Sequence, residues 1–307
     1  MRRCLGIFLA LSLASAVWAD DQKKKKDDPN QIGNRDVGKG LNIYSIEREM
    51  ALGKQLAEEV TRQAKMQDDP LITEYINRMC QNLARNSDAR VPITCQVIEG
   101  EIPNAFALPG GFIFVYTGLI KLADEEDEIA AAIAHEIAHI AARHMTKQAT
   151  RSALANVASI PVSILLGGGL GGYAVRQGAG LAIPAAFLKF TRSDESEADY
   201  LGTQYLYAAG YDPTGAITIF EKMQSLQRKQ PGVLDKILSS HPMDADRIKK
   251  TEEEIGKILP DKAEYIVSTS EYRDIRDRLL KLEQRKRASK QPEQEDRPTL
   301  KRRDLIE

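Results

Sequence analysis

The sequence predicts an α+β protein that is mainly helical, with a small β-sheet beside one alanine-rich helix. Three observations predict it. Capped amphipathic segments fill residues 45–85. Two short apolar, β-branched and aromatic runs bounded by Gly and Pro, "ITCQVIEG" and "GFIFVYTG", read as strands. From residue 124 onward the pattern is mostly helical, and it opens with "AAAIAHEIAHIAARH" (130–144), which holds three of the four histidines. The 307 residues are 42% hydrophobic, enough to bury a real core. A formal net charge of −1 gives no electrostatic case for nucleic acid as a partner.

Residues 1–19 carry Arg2 and Arg3, an apolar run from Leu5 to Val17, and Val17-Trp18-Ala19. This is the pattern of a secretory signal peptide cleaved after Ala19, with an apolar core too short to span a membrane. Removal of the signal discards Cys4 and leaves Cys80 and Cys95 in an oxidising compartment, so a Cys80–Cys95 disulfide is expected. Residues 20–40, with "KKKKDDPN", read as a flexible linker. One main domain is expected over 41–284. Its first helix has Ser45 as N-cap and acidic residues in the first turn. Its second is capped by Asp69, with Pro70 at the first helical position. The run "DEEDE" suits the N-terminus of the histidine-bearing helix. A later helix runs from about Ser193 to Ala209 and stops at Gly210. Residues 285–307 are charged and nearly devoid of apolar side chains, a disordered tail in expectation.

Four residues advance an α-helix by about 400°, so His135 and His139 lie about 40° apart on one face. Both imidazoles can reach one metal ion. Glu136 lies one residue round, placed to take a proton from a water near that ion. His144 lies about 140° further round a continuous helix and reads as a solvated or capping histidine. A catalytic zinc site needs a third protein ligand and an open fourth position. The one remaining histidine is His241, and acids cluster in "FTRSDESEADYLG". Glu195 and Asp199 share a helix face and Glu197 points away from them. The residues alone leave open whether these acids are ligands or an exposed helix start.

Four motifs spread over about residues 40–280, "NAFALPGGFIFVYTGLI", "HEIAH", "SDESEADYLG" and "SHPMDADRI", resemble the zinc metallopeptidase family of HtpX and the CAAX prenyl proteases. Within it the chain is similar to the soluble, exported branch. The resemblance implies a zincin-like domain with one zinc ion per chain. Its ligands would be His135, His139 and Glu195, Glu195 being the first acid of an E-x-x-x-D pair. Asp199 would accept a hydrogen bond from a ligating imidazole, and Arg247 would support the site. The resemblance also sets His241 at the active site. There it would either donate to the developing oxyanion or fill the open zinc position and hold the enzyme latent. The strand bearing Phe112 and Phe114 would be an edge strand that pairs with extended peptide, with Asn104 and Ala105 near the substrate path. Members of this branch can carry a helical repeat domain after the peptidase, and this chain ends too soon for one.

Residues 152–190 open with a stretch, Ser152–Val175, that holds no charged residue. A single membrane span there would separate His139 from Glu195, and Pro161, Arg176 and Pro184 interrupt a paired one. The segment reads as a Gly-rich apolar lid or hairpin that can touch membrane or unfolded protein. The function implied is zinc-dependent hydrolysis of peptide bonds in unfolded or misassembled cell-envelope proteins in the periplasm, in contact with outer-membrane assembly machinery. A rival from another class is an envelope chaperone whose zinc is structural and closed by His241. Glu136 argues against it, since a structural site has no use for a carboxylate there.

Overall fold

The computed structural model describes residues 28–155, 174–177, 181–184, 190–229, 241 and 245–290. The expected signal peptide, residues 20–27 of the linker, most of the 152–190 segment and residues 291–307 lie outside them. Ser45 accepts from the Arg48 amide to start α1 (Ile46–Gln63), and Asp69 accepts from the Leu71 and Ile72 amides to start α2 (Pro70–Arg85). Both helices turn an apolar stripe inward, Leu56 and Val60 on the first, Ile72, Ile76 and Leu83 on the second.

Three strands follow: β1 (Thr94–Ile98), β2 (Ala105–Leu108) and β3 (Phe112–Tyr116). Their order is β1-β3-β2, with β1 parallel and β2 antiparallel to β3. The β2–β3 turn is set by Gly110 and Gly111, at φ +76° and +105°, where L side chains are strained. A Cβ on Gly111 would also stand 2.0 Å from the Pro92 carbonyl oxygen. The strand "GFIFVYTG" is therefore interior and not the expected edge. Phe114 is fully buried and stacks on Phe106 with ring centroids 5.2 Å apart, and Phe112 packs toward α1 at Gly53. Phe114 belongs to the core, and Phe112, partly buried, packs against it. The terminal strands are β1 and β2; β1 is flanked by a bridge from Met66 to Ile98, and β2, a four-residue apolar run too short for periodicity to reveal, has no second strand beside it among the described residues.

After α3 (Thr117–Leu122) comes α4 (Glu126–Ala141), in which every residue except Ala132 is buried. It packs against α2, β2, β3, α6 (Arg192–Ala208) and α7 (Gly215–Lys229). A helix enclosed on all sides needs no amphipathic stripe, and its Ala and Ile content reflects that. Gly202 lets α6 approach so closely that an added Cβ would lie 3.2 Å from the His135 backbone. Between α4 and α6 run α5 (His144–Ala155), β4 (Ala174–Gln177) and β5 (Leu181–Pro184), the two strands pairing antiparallel. The fold finishes with α8 (Ala245–Ile258) and α9 (Ser270–Lys290).

Two expected boundaries move. Residues 28–40 are not a free linker: Arg35, 4% exposed, forks onto Asp88, which also takes the Gly33 amide and the Tyr205 hydroxyl. Arg35 reaches Gln204 as well, so this segment is tied to α6. The helix α9 continues past residue 284 to Lys290, held by Arg278–Asp69, Lys286–Glu99 and Arg287–Glu101 ion pairs. Cys80 on α2 and Cys95 on β1 have Cα atoms 6.2 Å apart, the separation a disulfide needs. No helix among the described residues is long and apolar enough to cross a membrane.

Asp127, in the first turn of α4, is 5% exposed, and burial reinforced by Asp212 and Glu128 pushes its carboxyl from 3.8 up to about 7. The folded state thus binds a proton that the unfolded chain releases near pH 4, so stability falls as pH rises from 4 to 7. Asp127→Asn is expected to add about 2 kcal/mol at pH 8, after allowance for solvent screening, and nothing at pH 3. Thermal melts of both proteins at the two pH values check this.

Candidate metal centre

The centre lies where α4, the first turn of α6 and the His241 segment converge. Thr191 and Asp194 form a capping box at the start of α6, and Arg151 of α5 grips Asp194 with two hydrogen bonds of 2.9 Å. The next residue, Glu195, is 1% exposed and points at the histidines of α4. Nε2 of His135 and Nε2 of His139 are 3.0 Å apart. Glu195 sets Oε2 3.5 Å from the first and Oε1 3.5 Å from the second. His241 brings Nδ1 to 3.3 Å from His135 Nε2 and 3.0 Å from Glu195 Oε1.

One ligand atom from each of these four residues lies within 4.8 Å of all the others. A tetrahedron of N and O ligands about 2.05 Å from one ion has edges of about 3.3 Å. The observed spacings bracket that value, so the group can hold a metal ion. Electrostatics argue the same way. Burial alone would lower the His135 pKa, yet Asp199 and Glu195 outweigh it and raise it to about 10. The cluster draws positive charge into a buried place, and a divalent cation meets that demand without a proton. Burial depresses His139, leaving its ring neutral and able to ligate. Against burial, His241 and the two α4 histidines hold Glu195 well below the usual carboxylate range.

Asp199, one turn beyond Glu195, has Oδ1 3.0 Å from Nδ1 of His135 and so can orient that ring. Arg247 of α8 forks onto Asp199 at 2.7 and 2.8 Å and reaches Glu195 Oε2 at 2.9 Å. Glu136 is 3% exposed, burial raises its pKa, and its Oε2 is buried with no hydrogen-bond partner. His241 Nε2 stands 3.5 Å from Glu136 Oε1, and the Ala107 amide on β2 donates to the carboxylate.

Three features of the surroundings are not read from the sequence. Phe190 lies flat on the His139 ring at 4.0 Å, and Phe220 meets His135 edge-on at 6.3 Å, so the histidines have apolar walls. Nothing in the local pattern of either phenylalanine signals it. His144 is the larger departure. It is 1% exposed, not solvated, and its Nδ1 is 2.9 Å from Nδ1 of His139. The rotation expected for a continuous helix fails because Arg143 takes a left-handed φ of 58°, breaking α4 from α5. Glu197, which points away from the cluster, meets His144 Nε2 at 3.2 Å. Of the substrate-path residues, Ala105 opens β2 and Asn104 immediately precedes it, with the Asn104 carbonyl bonded to the Tyr116 amide.

A helix carrying His-Glu-x-x-His, a carboxylate from a second helix and a buried base between them define a metallopeptidase-type centre. The chain belongs to Peptidase family M48, which matches residues 70–255 and so includes every residue of the cluster. It is 29% identical over 235 residues to a beta-barrel assembly-enhancing protease of Yersinia pestis, covering 73% of this chain and 48% of that one. It is 35% identical over 184 residues to the mitochondrial metalloendopeptidase OMA1 of Schizosaccharomyces pombe, covering 59% and 52%. A third relative is a putative beta-barrel assembly-enhancing protease of Vibrio cholerae, 30% identical over 250 residues, with 76% and 49% covered. The chain spans about half the length of these relatives.

Proposed function

We propose that this chain is a zinc-dependent endopeptidase with a zincin-like site, acting on unfolded or misassembled proteins of the cell envelope. The observation that carries the reading is the convergence of ligand atoms from His135, His139, Glu195 and His241 within 4.8 Å of one another, beside the buried Glu136 whose Oε2 has no hydrogen-bond partner. Zinc bound there supplies Lewis-acid polarisation of the scissile carbonyl and acidifies water. Glu136 takes the proton of the attacking water and returns it to the leaving amine. Asp199 and Arg247 keep His135 and Glu195 in place.

Substrate is held by β2. The Asn104 carbonyl pairs inward with β3, so along an antiparallel ladder Ala105 and Ala107 turn their backbone groups outward. Ala107 spends its amide on Glu136, which ties the free edge to the base. An extended peptide adding to that edge would run beside Glu136, which Ala107 ties to the strand. Such a mode reads backbone and favours unfolded clients. The relatives named as barrel-assembly proteases support an envelope role, with export by the N-terminal signal, a periplasmic location and a Cys80–Cys95 disulfide formed there.

His241 is the gate. With its Nδ1 among the ligand atoms the site has four protein ligands, and a catalytic zinc keeps one position open. With zinc held by all four residues the enzyme would be latent, and it would work when His241 leaves. The test is hydrolysis of a denatured, fluorescently labelled protein. Chelation should abolish it and zinc restore it, and His241→Ala should raise the rate at matched zinc content. Activity indifferent to chelation would overturn the metal reading. A rate lowered in His241→Ala would make His241 the oxyanion donor instead.

A further inference from the structure

We propose that His144 and Glu197 are positioning residues that fix the tautomer and direction of His139; the proposal rests on the metal-site reading above. His144 Nδ1 stands 2.9 Å from His139 Nδ1, and His144 Nε2 stands 3.2 Å from Glu197 Oε2. A neutral imidazole has one donor and one acceptor nitrogen. The Glu197 carboxylate only accepts, so the His144 proton sits on Nε2 and its Nδ1 is left as an acceptor. The hydrogen between the two Nδ1 atoms then belongs to His139. That leaves Nε2 of His139 with its lone pair aimed at the other ligand atoms, as a metal ligand requires.

Among the described residues, one other acid approaches His144. Asp194 Oδ1 is 3.9 Å from its Nε2 and is already held by Arg151. At 1% exposure, solvent does not take the place of either partner. The chain break that delivers the ring is itself anchored, with Arg143 bound to Glu49 and to the Tyr44 carbonyl. The two metal-facing rings are thus supported differently. His135 has a carboxylate directly behind it, and His139 has an imidazole with a carboxylate one step further out.

Metal affinity tests this, read by titrating metal-stripped protein with zinc against a chromophoric chelator. His144→Leu removes the acceptor and is expected to weaken zinc binding about 10–100-fold. His144→Asn places an oxygen near the lost Nδ1 and should retain most of the affinity. His144→Gln, whose amide falls nearer Nε2, should lose it as Leu does. Glu197→Ala, altering a side chain 28% exposed, should give a smaller loss than His144→Leu. Wild-type affinity in His144→Leu overturns the proposal, as does an Asn variant as weak as Leu. Should the Leu variant fail to fold, equal affinity of Asn and Gln overturns it. The metal reading itself fails differently: the unmodified chain binds no zinc, or His139→Ala binds it as tightly.

Discussion

Glu136→Gln is expected to lower peptide hydrolysis by about 10²–10⁴-fold while leaving zinc content and melting temperature close to those of the unmodified chain. The side chains are nearly isosteric, and Glu136 is not among the four ligand atoms, so the metal set is untouched. What is lost is a group that can accept a proton. Burial raises the carboxyl's pKa, which brings it toward the operating pH of a general base, and the site is dry enough that bulk water does not substitute. The amide can still receive or offer a hydrogen bond at Oε2, where no partner is now present. Stability is therefore expected to hold or rise slightly, the usual trade between an active site and the fold. The comparison requires both proteins at equal zinc occupancy. Full activity in the Gln variant would assign the base elsewhere, and loss of zinc with activity would make Glu136 a structural member of the site.

The spatial grouping of His135 with His139, and of Glu195 with Asp199, was legible in the sequence because one regular helix carries each pair; that Glu195 faces the histidines came from the resemblance and not from spacing. A spacing of four puts His135 and His139 on one face of α4, and the same spacing puts Glu195 and Asp199 on one face of α6, while nothing in either spacing says that the two faces meet. Legibility ended where geometry depends on a break or on distant chain. His144 follows the same count along the sequence, but the count has no meaning across the left-handed Arg143. Its burial against His139 therefore cannot be obtained from helical phase. Arg35 shows the other limit. It stands in a charged, Pro-containing stretch that reads as solvated, and only the tertiary position of Asp88 and Gln204 turns it into a buried clamp. The order of the sheet was hidden for a third reason. The strands β2 and β3 are both almost wholly buried, so neither alternation nor composition says which is the edge.

Arg247→Met is expected to destabilise the metal-free protein by up to about 3–5 kcal/mol, because it leaves two buried carboxylates with His135 as their one remaining charged partner. Arg247 is 6% exposed, and Glu195 and Asp199 are 1% and 4% exposed. Against the cost of burial, Arg247 holds the Asp199 carboxyl below its ordinary value, as the histidines do for Glu195. Both acids therefore contribute stability that is present above pH 4 and is lost as pH falls through their depressed folded values. The deficit of the Met variant should be full at pH 7 and shrink in acid, where the stranded carboxylates take up protons. Lys at this position restores the charge without the fork that spans Asp199 and Glu195, so Arg247→Lys should recover only part of the loss. Zinc should recover another part, since a divalent ion neutralises Glu195 directly and stabilises by mass action. It leaves Asp199 to His135 alone. The pairing Arg247→Met with Asp199→Asn should thus be more stable than Arg247→Met by itself, the sign expected when one partner of a buried pair has been removed. Thermal melts of the four proteins with and without zinc decide it. An Arg247→Met chain that melts like its parent without metal would mean that the histidines suffice to hold both acids, and that Arg247 acts elsewhere.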